Sequence, residues 1–455
     1  MTTARHLERR RRLLAQMEGG VALIPTAAPK LRNGDAEYRF RPDSDFHYLT
    51  GFSEPNALLL LAKGRSEGEQ LLFLQPRQRD QEIWTGRRLG VERAKETLGV
   101  DEAHSIDELD TLLPKLLRGR EPLYYRTGLR ADLDTKVLGM VANLRMRVRE
   151  GNPAPATIVD PSRLLHEMRL FKDDDELALM RRAAAITAGA HVAAMRATRP
   201  GIFEYEIEAL VEHEFRRRGA DAPAYGTIAA SGANATVLHY VQNDCQAKAG
   251  ELFLLDAGCE LSCYASDVTR TWPVSGRFTP AQRQIYELVL EAQRRSIAET
   301  LPGRNFQAAH DVTVRTLTAG LIELGLLKGG VDECIENKSF RRFYMHRTGH
   351  WLGLDVHDAG VYFAGPTANG LAGPAALVHR TLAPGMVLTV EPGLYLAEDD
   401  ATIPAEFRGI GVRIEDDVLV TASGQEILTA ACPKQVAEIE ALVGTLDGNG
   451  PPRRA

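Results

Sequence analysis

Five side chains stand where an acidic group or an imidazole is costly. Asp256 follows the run LFLL, Asp267 lies in SDVTRT, His350 in MHRTGHWLG, Glu391 in LTVEPG and Glu415 in GVRIEDD. These stretches are otherwise mostly apolar or small, and a charge in such a setting must be paired or bound to metal. Singly, each has an ordinary reading: an aspartate beside glycine makes a turn, and a strand glutamate pairs with an arginine, as Arg413 is placed to do for Glu415. Together they suggest more. The four carboxylates carry one negative charge each, which two divalent cations neutralise, and the imidazole adds a neutral ligand. A donor set this rich in oxygen suits Mn(II) or Co(II), with Zn(II) as an alternative. Two such ions ~3.5–4 Å apart hold a hydroxide and stabilise a tetrahedral intermediate, which is hydrolytic chemistry.

The elements that must position these groups are legible around them. ELFLLDAG (251–258) and SDVTRTWPV (266–274) read as antiparallel strands joined across a turn near Leu261–Ala265, which brings Asp256 and Asp267 to one point. GMVLTVEPGLY (385–395) and GVRIEDDVLV (411–420) repeat that design for Glu391 and Glu415. Apolar residues at helical spacing predict helices over 174–198, 203–218, 279–300 and 306–325. Residues 172–445 are therefore expected to form an α+β domain, with helices packed on a largely antiparallel sheet. Ahead of it, VALIP (21–25), NALLLLA (56–62) and EQLLFLQP (69–76) read as strands, and helices are expected near 90–98 and 106–118. That alternation predicts a smaller α/β domain over 1–165. The end of the chain, 446–455, is expected to be disordered.

Composition narrows the function classes. A chain of 455 residues exceeds one ordinary core. A net charge of −6 argues against nucleic acid or an anionic membrane as partner. The basic runs Arg9–Arg12 and Arg216–Arg218 read as solvated helix faces. No window supplies the ~20 apolar residues of a membrane span, and the basic N-terminal stretch lacks the apolar core of a secretory signal. Cysteines at 245, 259, 263, 334 and 432 are an odd, scattered set, which suggests reduced thiols and a cytoplasmic location. The pair Cys259 and Cys263 reads as buried thiols rather than a metal site.

The motifs DAG (256–258), SDVTRT (266–271), HWLGLDVHD (350–358), TVEPGLY (389–395) and GVRIEDD (411–417) resemble the proline-specific metallopeptidases of the pita-bread fold, and most of all aminopeptidase P. The likeness extends through NGDAEYRFRPDSDFHYLTGF (33–52), EIWTGRRLG (82–90) and HEMRLFK (166–172). It implies a pita-bread catalytic domain behind a creatinase/aminopeptidase-P-like N-terminal domain. It also implies metal-dependent cleavage of the N-terminal Xaa-Pro bond and a homo-oligomer, dimer or tetramer. By position, Asp256, Asp267, His350, Glu391 and Glu415 match metal ligands, Asp267 and Glu415 bridging, with Glu391 also shuttling a proton. His357 matches a donor to the scissile carbonyl, His239 a group steadying substrate and leaving group, and His346 a pocket residue. Arg413 matches a residue organising Glu415 and pairing with Asp35. Tyr362 and Tyr395 match the lining of the proline region, and Trp84 an approach from a neighbouring subunit.

Arg347 and Thr348, and the Gly/Ala/Pro-rich segment 363–380, depart from the family pattern; the segment reads as a surface loop at the rim. Prolidase has the same ligand set and is the nearest rival. Methionine aminopeptidase ordinarily lacks this first domain. A metal-free creatinase-like hydrolase, or a non-enzymatic peptide-binding protein of the same fold, is expected to have lost ligands, and all five stand here.

Overall fold

A computed structural model describes residues 3–151, 153–364 and 378–446. The chain divides into two compact units, Met1–Arg169 and Leu170–Ala455. The tail beyond residue 446 and the centre of the rim segment, 365–377, lie outside the described residues.

In the first unit the strands Val21–Pro25, Leu58–Ala62 and Gln70–Leu74 are buried at every residue. That burial explains their unbroken apolar runs: a strand covered on both faces needs no polar alternation. They lie centrally in a six-stranded sheet completed by Glu102–Ser105 on one side and by Leu123–Tyr125 and Ile158–Val159 on the other. Its strand pairs are both antiparallel and parallel. Helices Leu109–Leu117 and Ala131–Met146 cover one face through Leu113, Leu117, Val137 and Val141.

One expectation fails here. Arg9 and Arg10 are not a solvated face; they are 1% and 0% exposed. Arg10 donates to Gln70 Oε1 and to the carbonyls of Leu49, Leu98 and Gly99, so its guanidinium caps helix ends instead of meeting water. Arg216–Arg218 are exposed as expected.

The second unit is helix on antiparallel sheet. The helix Asp174–Ala197 begins with a reciprocal cap in which Asp173 accepts from the N–H of Glu176 and Glu176 accepts from the N–H of Asp173. Pro280–Glu299 starts the same way with Thr279, Gln282 and a proline at the first helical position. Glu204–Arg217 and Gln307–Glu323 are the other long helices described in this unit. Their inner faces pack Phe215, Tyr286, Val289 and Leu321 against Phe253, Leu255 and Trp272 of the sheet.

Two runs read as single strands are each broken, and the breaks matter. Val387–Val390 pairs with Asp416–Val420, while Gly393–Tyr395 pairs with Gly411–Arg413. Between the two ladders lie Glu391-Pro392 on one side and Ile414-Glu415 on the other. Pro392 has no N–H to give a ladder, so pairing must lapse at that point. Both glutamates therefore sit at an interruption in the sheet.

Candidate metal centre and active site

Asp256 is the last residue of strand Leu252–Asp256 and lies opposite Thr269 of Thr269–Pro273. The chain between them forms a small separate hairpin, Cys259–Leu261 with Tyr264–Ala265, turned by Ser262 and Cys263 at positive φ. A Cβ on Gly258 would overlap the carbonyl oxygen of Ser266, so only glycine lets the Asp256 and Asp267 segments approach this closely. The hydroxyl of Tyr225 spans the two carboxylates, 2.6 Å from Asp256 Oδ1 and 2.5 Å from Asp267 Oδ1.

The other groups arrive from the broken ladders. Thr269 donates to Glu415 Oε2 at 2.6 Å, and Glu415 N–H donates to Thr269 O. His350 Nε2 lies 3.4 Å from Asp267 Oδ2 and 3.6 Å from Glu391 Oε1. Its Nδ1 is 3.0 Å from Trp351 O, a contact that places the proton on Nδ1 and leaves Nε2 free as a ligand. A Cβ on Gly349 would collide with Thr389 O, so glycine again permits the fit. Ligand atoms of Asp267, His350 and Glu415 all lie within 4.8 Å of one another.

Electrostatics tests whether cations fit. Burial pushes Glu415 well above the carboxylate range, aided by Asp267, Glu391 and Asp256. Burial likewise lifts Glu391 to about 7, with His350 pulling down and Asp267 pushing up. Asp256 is raised by burial although Arg413 draws it down. His350 is lowered by burial, yet Asp267 and Glu391 outweigh that and carry it to about 9. The cluster therefore holds more buried negative charge than its own cations balance, and hard divalent cations suit these oxygens.

The centre opens into a cavity of about 1120 Å³ lined by all five groups and by His239, His346, His357, Tyr362 and Arg413. The His357 ring meets the His350 ring edge-on, with centroids 4.3 Å apart. Its neighbour Asp358 is anchored by Lys172 at 3.0 Å in a pair whose side chains are each 1% exposed. Apolar lining comes from Ile228, Leu238, Val241, Phe306 and Phe363.

The pattern of "Metallopeptidase family M24" matches residues 178–422, and that of "Aminopeptidase P, N-terminal domain" matches 6–124. The Xaa-Pro aminopeptidase of Haemophilus influenzae is 48% identical over 96% of this chain and 96% of its own. The chain belongs to the Xaa-Pro aminopeptidase family of M24 metallopeptidases. Pseudomonas aeruginosa aminopeptidase PepP superposes with a TM-score of 0.93 at 48% identity, over 97% of this chain and 98% of that one. Escherichia coli aminopeptidase P, known in complex with substrate and in a zinc-substituted product complex, gives 0.92 at 46% identity over the same shares. The architecture is accordingly the pita-bread catalytic domain of M24 preceded by the smaller α/β N-terminal domain.

Within this M24 site, Arg413 and Tyr395 take partners that the sequence does not show. Arg413 forms its ion pair with Asp256, at 2.6 Å, and is linked to Glu415 by Thr269, which accepts from Arg413 Nε while donating to Glu415. Asp35 belongs to the first unit. Tyr395 is 3% exposed and lies behind the cavity, its hydroxyl 2.8 Å from His346 Nε2 and 3.1 Å from Arg413 Nη1. Trp84 stands 85% exposed on helix Arg79–Thr85 of the first unit. The ends of the rim segment, Phe363–Ala364 and Val378–His379, pair as a short ladder.

Three participants escaped sequence reasoning. Tyr225 carried no signal, because a tyrosine between alanine and glycine is unremarkable. Thr269 sat inside a quoted motif without a role. Asp417 accepts from the Asp267 N–H at 3.2 Å, and burial and Asp267 raise it well above the ordinary range; the doubled acid after Glu415 was its only trace.

Proposed function

We propose that this chain releases the first residue of peptides whose second residue is proline, using two divalent metal ions held by Asp256, Asp267, His350, Glu391 and Glu415. The observation that carries the reading is the surplus of buried carboxylate charge opening onto one cavity, in a chain whose relatives are Xaa-Pro aminopeptidases nearly end to end. The ions, when bound, supply an activated water and a polarised carbonyl. Glu391 takes the proton of the attacking water and returns it to the proline nitrogen, which leaves as a secondary amine. His357, which lines the cavity beside His350, donates to the carbonyl oxygen as charge builds there. Burial keeps the His346 ring below its usual value, at about 4, and therefore neutral beside Arg413. His239 steadies the substrate and the leaving group.

Proline at the second position removes the amide N–H that general peptidases bind. The apolar flank of Phe306, Tyr362 and Val356 offers its ring a surface instead. Mn(II) is the proposed metal, because oxygen donors dominate, with Co(II) or Zn(II) as substitutes. Five free cysteines support action in a reducing cytoplasm, and the working form is a homo-oligomer, dimer or tetramer.

The test is hydrolysis of Arg-Pro-Pro and Arg-Pro by metal-stripped protein, with and without each of the three metals. Metal-dependent arginine release, fast from the tripeptide and slow from the dipeptide, is the expected result. The reverse preference would make the protein a prolidase. Cleavage of neither under any metal would leave a peptide-binding protein.

A further inference from the structure

Arg347 has no part in the chemistry above, yet it lines the same cavity. Two arginines and no lysine do so among the described residues. Arg413 is 4% exposed and its charge is committed to Asp256. Arg347 is exposed, and its Nη2 donates to Gln307 Oε1 at 2.8 Å. Gln307 Nε2 in turn donates to Asp311 Oδ1 at 2.8 Å, one turn along the helix Gln307–Glu323. That second bond fixes which way the amide faces, so Gln307 steers the guanidinium without neutralising it.

The ligand chemistry follows from charge and reach. In the Xaa-Pro reading, on which this inference rests, the peptide's ammonium end lies against the acidic centre and its remainder runs outward. Arg347 is three residues from His350, which limits their Cα separation to about 11 Å, the span of about three extended residues. A guanidinium there meets the peptide just beyond the proline, and its planar fork matches a carboxylate.

We propose that Arg347 is a specificity residue that binds a peptide carboxylate beyond the proline. The carboxylate is either the C-terminus of a short substrate or an acidic side chain of a longer one. Its contribution is uniform binding, so it acts on KM and not on kcat, and it weakens as salt screens the rim.

The experiment compares metal-loaded wild type, Arg347→Ala and Arg347→Lys. The substrates are Arg-Pro-Ala as free acid and as C-terminal amide, with Arg-Pro-Asp-amide against Arg-Pro-Asn-amide. Wild type is expected to favour a carboxylate-bearing member by about five- to tenfold in kcat/KM, through KM. In Arg347→Ala that ratio falls to about one, and Arg347→Lys recovers part of it. A ratio confined to the first pair identifies the terminal carboxylate; one in the second pair identifies an acidic side chain. Equal rates in wild type, or a ratio that survives Arg347→Ala, would overturn the assignment. Failure of wild type to cut any of the four would overturn the Xaa-Pro reading itself.

Discussion

Glu415 and Asp256 illustrate how far one residue commits the site. Each is buried beside other carboxylates, and burial raises both above the ordinary range, so a bound cation favours their ionised forms. Asp256→Ala or Glu415→Ala is therefore expected to abolish tight metal binding and to lower kcat/KM by on the order of a hundredfold or more, while the first unit stays folded. Metal content by atomic absorption, beside turnover, checks this; normal content with normal turnover would refute the ligand assignment. His357→Ala should separate the two readouts, losing about 10²–10³ in kcat at full metal content. Tyr225→Phe removes only the hydroxyl that spans Asp256 and Asp267. Its expected signature is a metal affinity weaker by about 10–100-fold, with kcat restored when metal saturates.

At the scale of elements, the centre depends on interruptions in otherwise regular strands. The ladder lapses at Glu391-Pro392, and the buried base beneath Glu415 holds the gap in shape. Arg270 donates to Glu415 O at 2.5 Å and to Asp416 Oδ1 at 2.7 Å, and Lys434, Gln293 and Thr429 also donate to Asp416. Both side chains of the Arg270–Asp416 pair are fully buried. Arg270→Met should cost about 3–5 kcal/mol, because the fully buried Asp416 loses one of its two cationic partners and Lys434 alone remains. Urea unfolding measures that cost, and a loss of metal affinity should accompany it. The sequence located these strands and helices to within a few residues, since apolar runs and caps signal them locally. It could not locate the breaks, because GMVLTVEPGLY and GVRIEDDVLV each keep one apolar pattern across them. It also misjudged Arg9 and Arg10, whose partners lie 39 to 89 residues away.

For the whole molecule, pH ties stability to the metal. His6 and His191 are lowered by burial to about 4 and about 3. Both therefore fold neutral, and their contribution is complete above about pH 6.5 and lost as pH falls toward those values. Burial raises Asp45, but His166 and Arg169 hold it at about 2; that support persists above the ordinary carboxylate value and fails only as pH falls through 2. In thermal unfolding of metal-free protein, His191→Gln should lose less stability than wild type between pH 6.5 and 4, since the raised carboxylates Glu391, Glu415 and Asp417 act alike in both. Glu391 works in the opposite sense. Raised to about 7, it penalises the metal-free fold as pH climbs and must release its proton when cations bind. The rise in Tm on adding Mn(II) should accordingly grow from pH 5 to pH 8, with proton release seen by calorimetry in buffers of different ionisation enthalpy.

The amino-acid sequence by itself determined the ligand types, their order and the elements that carry them. An acid in an apolar strand, a cap or a proline is a local cost with a local signature. Only the tertiary structure decided which partners those groups take. Arg413 pairs with Asp256, the Tyr395 hydroxyl meets His346 and Arg413, and Tyr225, Thr269 and Asp417 join the centre. Such choices depend on distances between segments up to about 150 residues apart, set by sheet register and by glycines that let backbones touch.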